Sequence, residues 1–129
     1  MDGPALRPLD TIAFVGVSSL ARARAFYGGV LELPVEDDLP YALVLRAGGT
    51  RLRVTAVGQV VAAPYTVLGW AVADIAATVD RLTTRGVDFR RFAQLDQDER
   101  GVWHAPGGAR VAWFEDPDGN LLSLTQAAE

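Results

Sequence analysis

Apolar and small or polar residues alternate through residues 11–17, Thr-Ile-Ala-Phe-Val-Gly-Val, which is the period of a half-buried strand. The spacing then changes. Leu20, Ala23, Phe26, Tyr27 and Val30 fall three and four apart behind Ser18 and Ser19, the pattern of a capped amphipathic helix that ends at or soon after Gly28 and Gly29. A turn-rich acidic stretch over 36–40 follows, and two strands are predicted over 41–47 and 50–57, joined at Gly48 and Gly49. Residues 58–65 are small and interrupted by Pro64, and read as a linker. The order then repeats. A strand over 67–72 leads to Asp74 as N-cap, and Ile75, Val79 and Leu82 mark a helix face that stops at Arg85 and Gly86. A strand over 87–92 and a polar loop precede a last pair of strands within 111–125, which Asp116-Pro117-Asp118-Gly119-Asn120 turns antiparallel.

Residues 17–20 superpose on 72–75 and residues 49–54 on 119–124, with the extra length of the second half falling in 94–106. Two copies of one supersecondary unit that cannot each bury a sheet face alone must share an interior. The expected fold is therefore α+β, two tandem modules whose sheets curl into a half-open barrel with a central trough and helices outside. Such a mouth suits a small molecule.

Composition narrows the choice of partner. A chain of 129 residues, half of them apolar, suits a single domain. The formal charge is −4 and the twelve basic residues, all arginine, are scattered, which argues against nucleic acid. With no cysteine there is neither a thiolate nucleophile nor a zinc-thiolate site, which suits a reducing cytoplasm. The first residues lack the basic-then-apolar order of a secretory leader, and Gly58, Gln59, Pro64 and Gly69 break up the apolar stretch 54–72, so no membrane partner is expected.

The closing stretch Phe-Glu-Asp-Pro-Asp-Gly-Asn-Leu-Leu-Ser-Leu (114–124), the opening strand and helix ending Leu-Ala-Arg-Ala-Arg-Ala-Phe-Tyr (20–27) and residues 70–82 together resemble the vicinal oxygen chelate superfamily. That superfamily includes glyoxalases, bleomycin-resistance proteins and extradiol dioxygenases. The resemblance covers most of 12–126. It implies one domain over 1–129, built of βαβββ modules at about 10–57 and 66–126 around the 58–65 linker, with a small organic ligand and a homodimer as partners. Metal-dependent members carry four ligands, and counting from the matching motifs puts those positions on Ile12, Arg53, Val67 and Ser123. Ile and Val have no lone pair, Arg is a permanent cation, and a lone Ser hydroxyl is a poor ligand. A slip of one residue reaches only Thr11, Ala13, Leu52, Val54, Thr66, Leu68, Leu122 or Leu124. The expectation is no metal and no cofactor.

If Arg53 and Ser123 face inward, strand alternation brings Arg51, Thr55 and Leu121 with them, and Ile12, Phe14, Val67, Gly69 and Ala71 complete the lining. Such a trough suits an apolar or aromatic ligand with an anionic or carbonyl group held by guanidinium. A different register or an edge position would instead leave Arg51 and Arg53 in solvent. Trp103, in a loop-like context, is the candidate stacking surface. His104, the single histidine, is a candidate ligand hydrogen-bonder or catalytic acid–base group, or else a surface side chain. The acidic runs 36–38 and 96–99 read as solvated turns, and Asp116 and Asp118 as turn formers. Two functions stand against each other: a metal-independent binder similar to the bleomycin-resistance branch, and a metal-free isomerase or lyase using His104 and arginine. A third, an interaction module without a ligand, needs bulky residues in the trough, against which Gly69 and Ala71 argue.

Overall fold

The computed structural model describes residues 3–129. β1 (Ile12–Val17) leads into α1 (Leu20–Ala23), which continues as a π-helical segment, Arg24–Val30. β2 (Val35–Asp38), β3 (Ala42–Ala47) and β4 (Thr50–Ala56) complete the first half. The second half runs β5 (Leu68–Ala71), α2 (Ile75–Thr84), β6 (Trp103–His104), β7 (Arg110–Glu115) and β8 (Leu121–Gln126). The strands form two four-stranded sheets, ordered β1-β4-β3-β2 and β5-β8-β7-β6. In each the first strand pairs in parallel with the last, and the remaining pairings are antiparallel. This is the expected α+β fold of two βαβββ modules, and the sheets do not close into a barrel. Among the described residues no helix is long and apolar enough to cross a membrane.

Both helices start where a side-chain oxygen meets a free backbone donor. Ser19 Oγ accepts from Arg22 N at 3.2 Å and Asp74 Oδ1 from Ala77 N at 3.1 Å. The first helix outlasts its glycines. Leu31 N donates to Phe26 O at 2.9 Å, the wider π spacing, while the Arg85 guanidinium donates to Val30 O (2.8 Å) and Gly29 O (2.7 Å). A side chain from the second module thus satisfies carbonyls that a helix end leaves orphaned.

Two elements differ from the sequence expectation. Residues 36–38, expected within the turn-rich acidic stretch 36–40, form with Val35 the edge strand β2, whose side chains are all exposed, so the apolar alternation of a buried strand is not required of them. Residues 87–92, expected as a strand, are irregular. Arg90 N donates to Trp113 O (2.7 Å), but the Gln97 side chain takes over other ladder positions: its Oε1 accepts from Phe92 N at 2.7 Å, and its Nε2 donates to Arg90 O (2.9 Å) and Gly101 O (2.7 Å). The strand at that edge is instead β6, inside the inserted stretch.

Alternation sorts the sheets into two faces. Val15, Leu52, Val54, Leu43 and Leu45 from the first sheet, and Ala112, Phe114, Leu122 and Leu124 from the second, turn to one continuous core with Ala23, Tyr27, Ile75 and Val79 from the helices. Full burial of a Leu or Phe side chain is worth about 1.5–3 kcal/mol, so this core is the main source of stability. The Asp-Pro-Asp-Gly-Asn turn fastens the modules at their polar edge. Buried Asp116 accepts from the Tyr27 hydroxyl (2.7 Å), Asn120 Nδ2 (2.8 Å) and the backbone N–H groups of Asp118 and Asn120 (both 2.9 Å), while Asn120 Nδ2 also donates to Gly16 O (2.9 Å). Ser18 donates through N (3.0 Å) and Oγ (2.5 Å) to Asp118. Burial, and after it the neighbouring Asp116 carboxylate, raise the Tyr27 phenol far above its ordinary range, so it remains a donor.

Candidate functional site

The site is built on the sheet faces that turn away from the core. Across the first sheet, Phe14, Arg53 and Val44 share one row, and Ile12, Arg51 and Arg46 the next. Phe14 is 65% exposed and Ile12 46%. The Arg53 guanidinium lies 5.6 Å from the centre of the Tyr41 ring and has no carboxylate partner among the described residues. Arg51 is less free, because Glu36 pairs with it (3.6 Å) and with Arg46 (3.2 Å). A cavity of about 300 Å³ opens here, with Val44, Arg51 and Arg53 on its wall beside Glu36, Asp37 and Leu39. Thr55, on the following row with Ala42 and Gly16, has a buried hydroxyl oxygen without a hydrogen-bond partner among the described residues.

On the second sheet the equivalent row is Gly69, Ser123 and Trp113, followed by Ala71, Thr125, Val111 and Trp103. Gly69 is required by close approach: a Cβ there would sit 2.5 Å from Ser123 Oγ. Ser123 is buried beneath this contact. Leu121 shares its face, and its carbonyl accepts from Val67 N at 3.0 Å. The tryptophans form an aromatic wall, Trp103 to Trp113 at 6.2 Å between ring centres and Phe92 edge-on to Trp113 at 5.3 Å.

The structure therefore gathers Ile12, Phe14, Arg51 and Arg53 on the open face of one sheet and Leu121, Ser123 and Trp103 on that of the other, with Val67 just before β5. His104 is separated from them. It follows Trp103 in β6, so alternation turns it to the opposite face, where Nε2 lies 3.2 Å from Asp98 Oδ2. Burial opposes ionisation of Asp98, but the N–H groups of Val102 and Arg100 and the His104 ring outweigh it and hold that carboxyl below the usual carboxylate range. An acid–base role for His104 toward a ligand on the open faces has no geometric support.

A divalent metal does not fit the positions where the family's ligands would fall. Ile12, Arg53, Val67 and Ser123 offer one hydroxyl and one fixed cation, and the register sets Arg53 opposite Phe14 and Ser123 opposite Gly69. Among the described residues no group of three or more His, Asp or Glu side chains is gathered to supply a substitute site. Tyr41, Val44 and Phe92 belong to these faces although the sequence does not single them out. Val44 was readable by alternation once the β3–β4 register was known; Tyr41 and Phe92 fall in the strands expected over 41–47 and 87–92, but Tyr41 precedes β3 and Phe92 lies in irregular chain, so alternation assigns neither a face.

Comparison with known proteins follows the same outline. The description "Glyoxalase/Bleomycin resistance protein/Dioxygenase superfamily" matches residues 9–124. A Bacillus anthracis protein assigned to the glyoxalase family superposes with a TM-score of 0.75 at 15% identity, over 95% of this chain and 97% of that one. A member of the same superfamily from Sphaerobacter thermophilus gives 0.73 at 23% identity, over 94% and 98%. TioX from Micromonospora sp. ML1 gives 0.69 at 18% identity, over 92% and 98%. At these identities the likeness is one of fold. No curated protein matches the chain.

Proposed function

Because the chain belongs to the glyoxalase/bleomycin resistance protein/dioxygenase superfamily, we propose that it binds a small organic ligand on the open faces of its sheets without a metal ion, holding it rather than transforming it. One observation carries the reading: Arg53, which counting from the motifs puts at a family metal-ligand position, has no carboxylate partner among the described residues and is set between Phe14 and Val44. A guanidinium there offers bidentate donors to a carboxylate or carbonyl oxygen but no Lewis-acid centre. On the other sheet the Trp103 and Trp113 rings offer an aromatic surface. The open face also exposes Phe14, Ile12 and Tyr41, and a second copy of the chain is part of the same reading.

The test is a thermal-shift series on chelator-treated protein with aromatic carboxylates and, separately, divalent cations, since a ligand that binds only the native state raises its stability by mass action. An aromatic carboxylate should stabilise the wild type and not Arg53→Ala. Strong stabilisation by a divalent cation alone, or an equal response of Arg53→Ala, would overturn the proposal. Sedimentation equilibrium at micromolar concentration should give twice the chain mass.

A further inference from the structure

A second cavity lies on the other side of the second sheet. Trp70, Phe114 and Leu124 alternate away from Gly69, Trp113 and Ser123, and with Leu31, Leu33 and Leu82 they wall a space of about 290 Å³ between the end of the first helix, β5 and α2. That is near the lower end of the roughly 300–1,000 Å³ typical of small-molecule pockets. The Trp70 ring is stacked on Phe114 with centres 6.4 Å apart and forms part of the apolar wall. One cation on this wall lacks a partner among the described residues, Arg81. Its neighbour Arg85 is committed to the Gly29 and Val30 carbonyls and to Glu32 (3.4 Å), whereas Arg81 makes no hydrogen bond or ion pair with a described residue.

We infer that this cavity is a binding site, separate from the open faces, for a small aliphatic carboxylic acid. The hydrocarbon chain lies against the leucines, Trp70 and Phe114, and the carboxylate lies toward Arg81. A cation without a partner beside an apolar wall selects an anionic amphiphile over a neutral one, and a space of this size admits a short chain rather than a membrane-length one.

The experiment is isothermal titration of the full chain with sodium octanoate and, in parallel, with 1-octanol. Octanoate should bind once per chain. Arg81→Ala, a change at an exposed side chain, should weaken octanoate about tenfold and leave octanol unchanged. The inference is overturned if wild type shows no saturable octanoate binding, or if Arg81→Ala binds octanoate as tightly as wild type. Loss of octanoate binding in Arg53→Ala with Arg81→Ala unaffected overturns it too, and assigns the acid to the open faces instead, so the two sites fail separately.

Discussion

Replacing Tyr27 by Phe tests whether the Asp116 cluster is the fastening between the two modules. Tyr27 is fully buried, and its hydroxyl has one partner among the described residues, Asp116 Oδ2 at 2.7 Å. Phe keeps the ring and its edge-on contact with Phe26 at 5.1 Å, so the change is confined to one hydrogen bond. A hydrogen bond to a charged acceptor contributes about 1.5–3 kcal/mol. The same oxygen keeps Asn120 Nδ2 and its partner oxygen keeps two backbone donors, so Asp116 is not orphaned and the cost falls at about 1–2 kcal/mol. For a domain of this length that lowers Tm by roughly 4–7 °C. Asp116→Ala is harsher, because it strips acceptors from the Tyr27 hydroxyl, Asn120 Nδ2 and two backbone N–H groups at once, and about 3–5 kcal/mol is expected. Urea unfolding followed by tryptophan fluorescence measures both, read as a shift in midpoint at constant slope. The reasoning fails if Tyr27→Phe costs less than about 0.5 kcal/mol, or if Asp116→Ala costs no more than Tyr27→Phe.

Two further perturbations follow from single contacts. Gly69→Ala places a Cβ 2.5 Å from Ser123 Oγ and should cost about 1–3 kcal/mol; adding Ser123→Ala should recover part of that in chemical denaturation, though the Ser123 carbonyl at 3.3 Å keeps the recovery incomplete. Asp98 has its carboxyl held below the ordinary range, so its folded pKa is depressed and its contribution is present above the unfolded pKa and lost as pH falls through the folded one. Asp98→Asn should therefore be less stable than wild type at neutral pH and converge with it below the carboxylate range; thermal melts from pH 7 to pH 2 that run parallel throughout would contradict this.

How much of this was legible in the chain depends on what carries each feature. The helices and six of the strands follow periodicity and caps: Asp74 caps α2 as its position indicates, and Ser19 caps α1. Ser18 serves the inter-module contact with Asp118 instead, which no local pattern announces because the partner is distant in sequence. Asp116 and Asp118 do form the turn, yet their side chains also bind across the modules, a role that turn propensity cannot contain. The second half misled for a definite reason. Residues 87–92 have apolar spacing suited to a strand, but Gln97 satisfies their backbone by a side chain, and the edge pairing moves to Trp103 and His104.

The open faces show the same division between parity and register. Once Arg53 and Ser123 are placed, parity alone selects Arg51 and Leu121 as companions; Phe14 and Trp103 join them through the register of β1 with β4 and of β6 with β7, which sends His104 the other way. Parity does not say which charges survive. Arg51 and Arg53 are equivalent by alternation, but β2 carries Glu36 toward Arg51 and leaves Arg53 over Tyr41, and β2 was the strand that composition concealed. The difference between a paired guanidinium and one without a carboxylate partner among the described residues, on which the proposed ligand recognition depends, is thus set by an exposed edge strand without apolar periodicity. Removing its charge should make the two arginines alike: Glu36→Gln is expected to strengthen binding of an aromatic carboxylate to the open face, and an unchanged or weakened affinity in titration would mean that Arg51 does not share the ligand with Arg53.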